Sequence, residues 1–600
     1  MLQGDTLHVV DIIGTIHSSS TVFEGELIEL EGSERQSSLI KVLQLRTSVY
    51  IKDGGPGLLS SSSYRGGSSQ HQVLLWNGME ISSPSLGLTD LNIFPGTLYE
   101  RMELNSGAGA LLKGNGVFGL ALDMLTTEND QKEGICFDVI ANPVLSQLGN
   151  SLAIKEKVGP VNTELKFFRV TAENAYRYDD DTGPETIRRE RSHAAMENWA
   201  ATANISYPSD KSGIWNLSLQ RTGLEREVPV LIGTTPRGET LNDDHVRAML
   251  LWNSELRSWK TEWALGYSEE KQIYMDSLSD LNSQIEAKLW HSRWIGTKDF
   301  RTIGRLRFKL SLDQNEVSTE NYSAPQGRQT LGFFAEWERK FGHLALNLSA
   351  RQAWVDQSSI PLTSSFGLRY LKDKWDLHAS IAKMYRLPTL NDLYWNPGGN
   401  ADLKPEEGWM WDAGLNLRDE PIEVGLTYFW NRYQDMIVWQ PTDMGYWSPL
   451  NRNLLSNQGI ELTLAGQVIP GLKAHGAATF LNLIQWQQSD MDLSFSERVP
   501  VYYPLITARG ALSYQFDSHE FRITQQMNGK VYADLSNLTE VPASFPMDIN
   551  YSYQVLKEES LIQMGVGVLN VLNESYAFIL GRPLPGRSIQ FTITYHIPSS

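Results

Sequence analysis

From about residue 135 onward, apolar and polar residues trade places at every second position. In RLRFKLSLD, Leu306, Phe308, Leu310 and Leu312 alternate with Arg307, Lys309, Ser311 and Asp313. In WMWDAGLNL, Trp411, Ala413, Leu415 and Leu417 alternate with Asp412, Gly414 and Asn416. Ile422, Val424, Leu426 and Tyr428 follow the same rule, as do Ile589, Phe591, Ile593, Tyr595 and Ile597 near the end. A period of two predicts strands with one apolar and one polar face. The first 130 residues or so differ: they are rich in Gly and Ser, with short apolar runs such as Val73–Trp76 and Gly119–Met124 between turn signals. That segment predicts a small compact α/β domain.

A soluble sandwich alternates too, but three details favour a membrane barrel. The strands run to about 9–11 residues, the length a tilted spanning strand needs. Aromatics gather at strand ends: Trp337, Tyr428, Trp430 and Tyr595. Connections alternate short and long, with ERKFGH (338–343) and RDEP (418–421) tight, and 178–195 and 434–457 long. About 470 residues at about 21 per strand and connection give about 22 strands, the class with a filled lumen. The fold class expected is therefore an all-β transmembrane barrel of about 22 antiparallel strands, with the N-terminal α/β domain as a plug inside it. The Pro- and Gly-rich stretch NPGGNADLKPEE (396–407) lies one strand before a tight turn, so it falls on the long-loop side.

Composition narrows this picture. The chain carries 18 Trp and 23 Tyr, whose apolar bodies and polar tips suit membrane–water boundaries. No apolar run is long enough for a spanning helix, and a mean hydropathy of −0.31 is compatible with strands that dilute their own hydrophobicity. The single cysteine, Cys136, excludes an internal disulfide framework. No signal peptide pattern stands at Met1, so either the chain is not exported or it is a mature form with a start Met. A net charge of −18 argues against nucleic acid as a partner. No Ser/His/Asp or metal-ligand arrangement emerges among 11 His, so an enzyme is not expected.

Several stretches resemble TonB-dependent outer-membrane receptors. MYRLPTLNDLYWNPGGNADLKPEEGWMWDAGL is similar to the family's barrel signature, and NVLNESYAFILGRPLPGRSIQFTITYHI to its closing strands. The plug is similar in its Arg65-Gly66 pair, its Asn77-Gly78 turn, Arg101, Glu103 ahead of a small-residue run, and Gly114, Gly116 and Gly119. That glycine spacing would suit a dinucleotide loop only inside a βαβ unit with a downstream acidic residue, and neither follows. The usual Gly-Gly-x-Ile plug ending reads Gly119-Leu120-Ala121-Leu122 here, and no Phe closes the chain. VLLWNGMEI and GRPLPGR look like the cobalamin-receptor-like branch. The resemblance implies residues 1–20 as coupling segment and linker, 21–130 as plug and 131–600 as barrel.

It also implies function. Family members sit in the bacterial outer membrane among its lipids and import a scarce ligand, here a corrinoid such as cobalamin or, alternatively, a ferric siderophore. An uncoupled pore or surface-binding barrel is the alternative of another class. The periplasmic partner is TonB, which pairs with a short extended segment; Thr6, Leu7, His8, Val9 and Val10 fit that role. Arg65 and Arg101 are candidates to hold the plug against lumen carboxylates. Ligand contacts are expected at the plug apex (Ser61, Ser62, Tyr64, Leu86) and on outer loops (Tyr176, Tyr178, Trp439, Tyr446, Trp447), where aromatics can stack. A surface lipoprotein lid is a further partner that the resemblance allows. No cofactor is expected. Asp179, Asp180 and Asp181 form a carboxylate run of the kind that binds structural calcium in related receptors, but without Gly-spaced ligands they read first as a solvated acidic loop.

Overall fold

A computed structural model describes residues 20–599, apart from 21, 24, 31–37, 115, 127–132, 181–183, 210–212, 235–236, 489–494 and 558, and the side chains of 452–453, 485–488 and 495–497. The coupling segment Thr6–Val10 and Asp181 lie outside the described residues.

Twenty-two antiparallel strands close into a barrel between Gly134 and Pro598. Closure pairs the first strand, Gly134–Asn142, with the last, Ser588–Pro598, in the register Phe591 opposite Ala141. The alternation is inside out relative to a soluble protein. On the strand Gly304–Thr319, Leu310 and Leu312 are 44% and 40% exposed, whereas Arg307, Lys309 and Ser311 are 6%, 7% and 5% exposed. Apolar side chains in water would be costly in such numbers, so the outward belt is matched to hydrocarbon and the polar face to the lumen. This observation separates the barrel from the sandwich.

Connections at one rim are two or three residues long, as at Gly342-His343 and Glu420-Pro421. The other rim carries the long connections. Several strands run past the length expected from the sequence, among them Leu281–Phe300 (20 residues) and Trp447–Ile469 (23 residues). Segment 434–457 is correspondingly not a long loop: strands continue to Pro441 and resume at Trp447, with a register shift after Tyr433. Beyond the bilayer both faces of a strand meet water, so the period-two hydrophobic signal fades while backbone pairing continues. The 178–195 segment likewise folds into a hairpin, Arg177–Asp180 against Ile187–Glu190.

Inside the barrel sits a five-stranded mixed sheet in the order Glu26–Glu29, Arg101–Ser106, Leu120–Leu125, Gln72–Trp76, Met79–Glu80. The helix Leu39–Arg46 packs on it, with Leu39, Val42 and Leu43 buried beside Trp76 and Phe94 in the main apolar core. The helix is capped by Ser38, whose hydroxyl accepts from the Lys41 N–H.

Candidate functional site

Two tight turns carry the plug's motif residues to the wall. Asn77 and Gly78 have φ of 49° and 79°, the pattern of a two-residue hairpin turn that Asn-Gly favours. Arg65 and Gly66, at 47° and 76°, make a second such turn between Tyr64 and Gly67. At the first, Arg293 of the wall donates to the Gly78 carbonyl at 2.6 Å and to that of Asn77 at 3.3 Å. At the second, Arg65 Nε donates to Glu461 Oε2 at 2.9 Å, Asp412 lies 3.9 Å from the same guanidinium, and Asn457 donates to the Arg65 carbonyl. Tyr64 also donates to Glu461, at 3.4 Å, so its hydroxyl faces the wall.

Arg65 thus meets lumen carboxylates, but most of the grip has the opposite polarity. Wall cations donate to plug carbonyls: Arg226 to Gly57 at 2.8 Å, Lys309 to Lys113 at 2.8 Å, and Arg351 to Leu111 at 2.8 Å. A carbonyl accepts without needing a charged side chain on the plug, which is why no plug motif announces these contacts. Arg101 pairs through its backbone with Glu29 and Leu125 in the plug sheet. Glu103 accepts from Lys113 at 2.7 Å within the plug, and Asp123 lies 3.4 Å from the same ammonium. Gly116 and Gly119, with φ of 73° and 116°, and Gly114 beside Val117 link a 3-10 turn to the strand Leu120–Leu125.

At the long-loop rim a buried node ties plug to barrel. Glu406 accepts from Arg386 Nη2 at 2.5 Å and lies 2.7 Å from His71 Nε2, while His71 stacks on Tyr433 at 5.0 Å. Arg386 and Glu406 come from the two ends of the barrel signature, YRLP and KPEE. Between them a short helix, Leu390–Tyr394, is capped by Thr389 and Asp392 in a reciprocal box. Its first free N–H groups, on Leu390 and Asn391, donate to Pro84 and Ser85 of the plug apex, both at 3.1 Å. NPGGNADLKPEE then lies along the neighbouring hairpin: Asn400 donates to the Pro449 carbonyl at 3.1 Å, and Asn451 and Lys404 exchange two bonds of 2.9 and 3.0 Å.

The aromatic candidates occupy different settings. Trp439 donates its indole N–H to Asp392 at 2.8 Å. Tyr446 and Trp447 sit at the tip of the same hairpin, Trp447 54% exposed. Tyr176 is buried, its hydroxyl donating to the Pro583 carbonyl at 2.7 Å, so it pins the loop 570–587 and does not offer its ring outward. Tyr178 is half-buried in the 177–190 hairpin. Ser61 is buried and Ser62 half-buried on a plug strand; Leu86 is half-buried and its carbonyl accepts from Gln70 at 2.8 Å. Asp180 accepts from Arg189 at 2.6 Å, so an arginine already serves that member of the acidic run, and Asp179 stands opposite Arg188 in the hairpin register.

A cavity of about 130 Å³ lies under the apex, lined by Glu80, Ser82, Glu270, Asp313 and Arg328 among others. Burial, then repulsion from Asp313, pushes the Glu80 carboxyl up to about 8, against the pull of Lys309, Arg328 and Arg351. Sequence reasoning missed Glu80, His71, Glu406, Glu461 and the wall arginines. Of these, only Arg386 and Glu406 carried a signal, as the charged ends of the barrel signature.

Comparison with known proteins places these elements in a family context. Residues 153–571 match the model described as TonB dependent receptor-like, beta-barrel, and residues 14–120 that of the TonB-dependent Receptor Plug Domain. The chain is 23% identical over 594 residues to the vitamin B12 transporter BtuB of Photobacterium profundum, covering 93% of this chain and 89% of the relative. It is 22% identical over 470 residues to that of Vibrio vulnificus, covering 74% and 72%. The FrpB iron transporter from Neisseria meningitidis superposes with a TM-score of 0.80 at 14% identity, over 96% of this chain and 99% of that one. A mutant ferric enterobactin receptor, PfeA, from Pseudomonas aeruginosa superposes at 0.77 and 15% identity, over 96% and 98%. At such identities the superpositions speak for the fold alone.

Proposed function

Because the chain belongs to the TonB-dependent receptor family, we propose that it imports a scarce ligand across the bacterial outer membrane with energy supplied through TonB, and that the ligand is a corrinoid such as cobalamin. The observation that carries the ligand assignment is the nearly full-length likeness to a vitamin B12 transporter. The interface between plug and wall suits coupled transport. Beside apolar clusters that plug and wall share, such as that of Leu112 and Phe118 with Met384 and Met410, it carries hydrogen bonds and ion pairs, which water can replace one by one as the plug shifts.

Import then runs as binding and coupled displacement, with no bond made or broken. The ligand binds on the long-loop rim against the plug apex. There the helix Leu390–Tyr394, held to Pro84 and Ser85, links outer loops to plug backbone. TonB engages Thr6–Val10 by strand addition and pulls. Calorimetry of the purified protein in detergent tests the reading. Tight binding of cyanocobalamin, with none of a panel of ferric siderophores, supports it. Siderophore binding alone replaces the ligand while leaving the coupling. Uptake that survives deletion of residues 5–10 refutes the coupling.

A further inference from the structure

The plug is not gripped evenly. Arg293, Lys309 and Arg351 hold its backbone directly from one stretch of wall. On the other side two adjoining cavities separate the helix Leu39–Arg46 from the strands between Leu472 and Ser588–Pro598. The lower cavity, of about 810 Å³, opens at the short-turn rim beside Gly471 and Asp517. The upper, of about 370 Å³, reaches Gly57, Met196 and Tyr576 under the long-loop rim. The two share Leu45, Glu520, Arg522 and Thr524, so they meet at a neck where Glu520 and Arg522 pair at 2.9 Å. Their walls carry amides and hydroxyls such as Gln554, Gln563 and Thr592, which suit a hydrated passage.

Among the described residues, one ion pair spans this gap. The Lys41 ammonium reaches from the helix to the Asp548 carboxylate, whose other oxygen accepts from the Asn570 N–H at 2.9 Å. The far end of the helix is anchored differently, with Arg509 donating to the carbonyls of Thr47 and Val49. The helix is therefore fixed at its C-terminal end and tied to the wall near its N-terminal end by that side-chain pair. Above the gap the loop 570–587 forms a roof, with Phe578 edge-on to Tyr50 at 6.2 Å and Pro583 held by Tyr176.

We infer that the solute path opens along this wall, and that the Lys41–Asp548 pair is the latch that keeps the helix Leu39–Arg46 across it. The inference rests on the import reading and adds the route and its gate. Releasing the latch lets the helix draw back from the neck, where its Leu45 faces Glu520 and Arg522, and so widens the passage between the two cavities; the clamped side stays shut.

Ion conductance of the purified full chain in planar bilayers tests this without a ligand. Lys41→Met with Asp548→Asn is expected to raise conductance several-fold above the unaltered chain. The swap Lys41→Asp with Asp548→Lys is expected to return it to the closed level, which a merely misfolded plug would not do. In a Cys136→Ser background carrying the latch change, Gln563→Cys modified with a bulky maleimide is expected to abolish the conductance, and Asn315→Cys, which lines the cavity under the apex on the clamped side, to leave it unchanged. A latch variant that stays closed, or a conductance indifferent to modification at position 563, overturns the proposal. Because no ligand enters the assay, absence of cyanocobalamin uptake would refute the ligand reading and leave this result standing.

Discussion

Arg386 and Glu406 stand opposite each other at the long-loop ends of two adjacent strands, and their buried pair also receives His71 from the plug. Both side chains are almost fully removed from water, so neither charge can be left alone cheaply. Glu406→Met leaves the buried guanidinium with only the more distant Asp392 carboxylate, 3.8 Å away, and a loss of about 3–5 kcal/mol is expected. Replacing both, Arg386→Met with Glu406→Met, should cost less than the sum of the two single Met changes, because the pair's own charges leave together and Asp392 keeps its hydrogen bonds to Thr389 and Trp439. Unfolding midpoints in detergent of the parent, Arg386→Met, Glu406→Met and the double variant check this; additive losses would show that the two charges act independently.

Gly78 sits where a side chain has no room. Its φ of 79° disfavours an L residue, and an added Cβ would stand 2.1 Å from Arg293 Nη1. Gly78→Ala should cost about 1–2 kcal/mol in backbone strain and expel the Arg293 clamp from the turn. Limited proteolysis is expected to cut the plug faster in this variant while the barrel stays intact. Equal cutting rates would mean the clamp does not hold the plug.

Alternation in the sequence was enough for the strands, because each lumen-facing or lipid-facing choice is made locally, residue by residue; strand length, end aromatics, connection lengths and chain length supplied the barrel and its strand number. What alternation cannot carry is position around the barrel. Arg65 and Glu461 meet across 396 positions because closure of the barrel fixes where each strand stands, and no local pattern records that. Tyr176 illustrates a different blind spot: an aromatic in a polar loop reads as exposed, yet a distant carbonyl at Pro583 draws it inward. Segment 434–457 reads as a loop for a third reason, since its strands outrun the membrane that imposes the hydrophobic rhythm.

Glu80 gives the plug a pH dependence. Its folded pKa of about 8 stands above the ordinary value of 4.5, so the folded plug prefers the protonated carboxyl. A raised folded pKa means this contribution is fully present below pH 4.5 and is lost as pH rises through about 8. Glu80→Gln keeps a neutral side chain at every pH. The difference in stability between the variant and the parent is therefore expected to grow in the variant's favour across that window and to level off above it. Denaturation midpoints at several pH values decide; parallel curves would show that Glu80 is ionised in the folded plug throughout.

Trp439 and Asp392 join the outer hairpin to the helix that rests on the plug apex. Asp392 accepts the indole N–H at 2.8 Å and the Thr389 N–H at 2.9 Å, so one carboxylate serves both the pin and the helix cap. Trp439→Phe removes only the pin and retains most of the ring surface. Asp392→Ala removes the pin and the reciprocal half of the capping box, a hydrogen bond to a carboxylate worth about 1.5–3 kcal/mol, while Thr389 still accepts from the backbone N–H of residue 392. If the ring at 439 contributes to ligand binding by stacking, the Phe variant retains most of the affinity for cyanocobalamin in calorimetry, while the Ala variant loses more by loosening the helix from Pro84 and Ser85. If Trp439→Phe weakens binding as much as Asp392→Ala, the indole N–H is what matters, and the part played by Trp439 is to hold the loop in place.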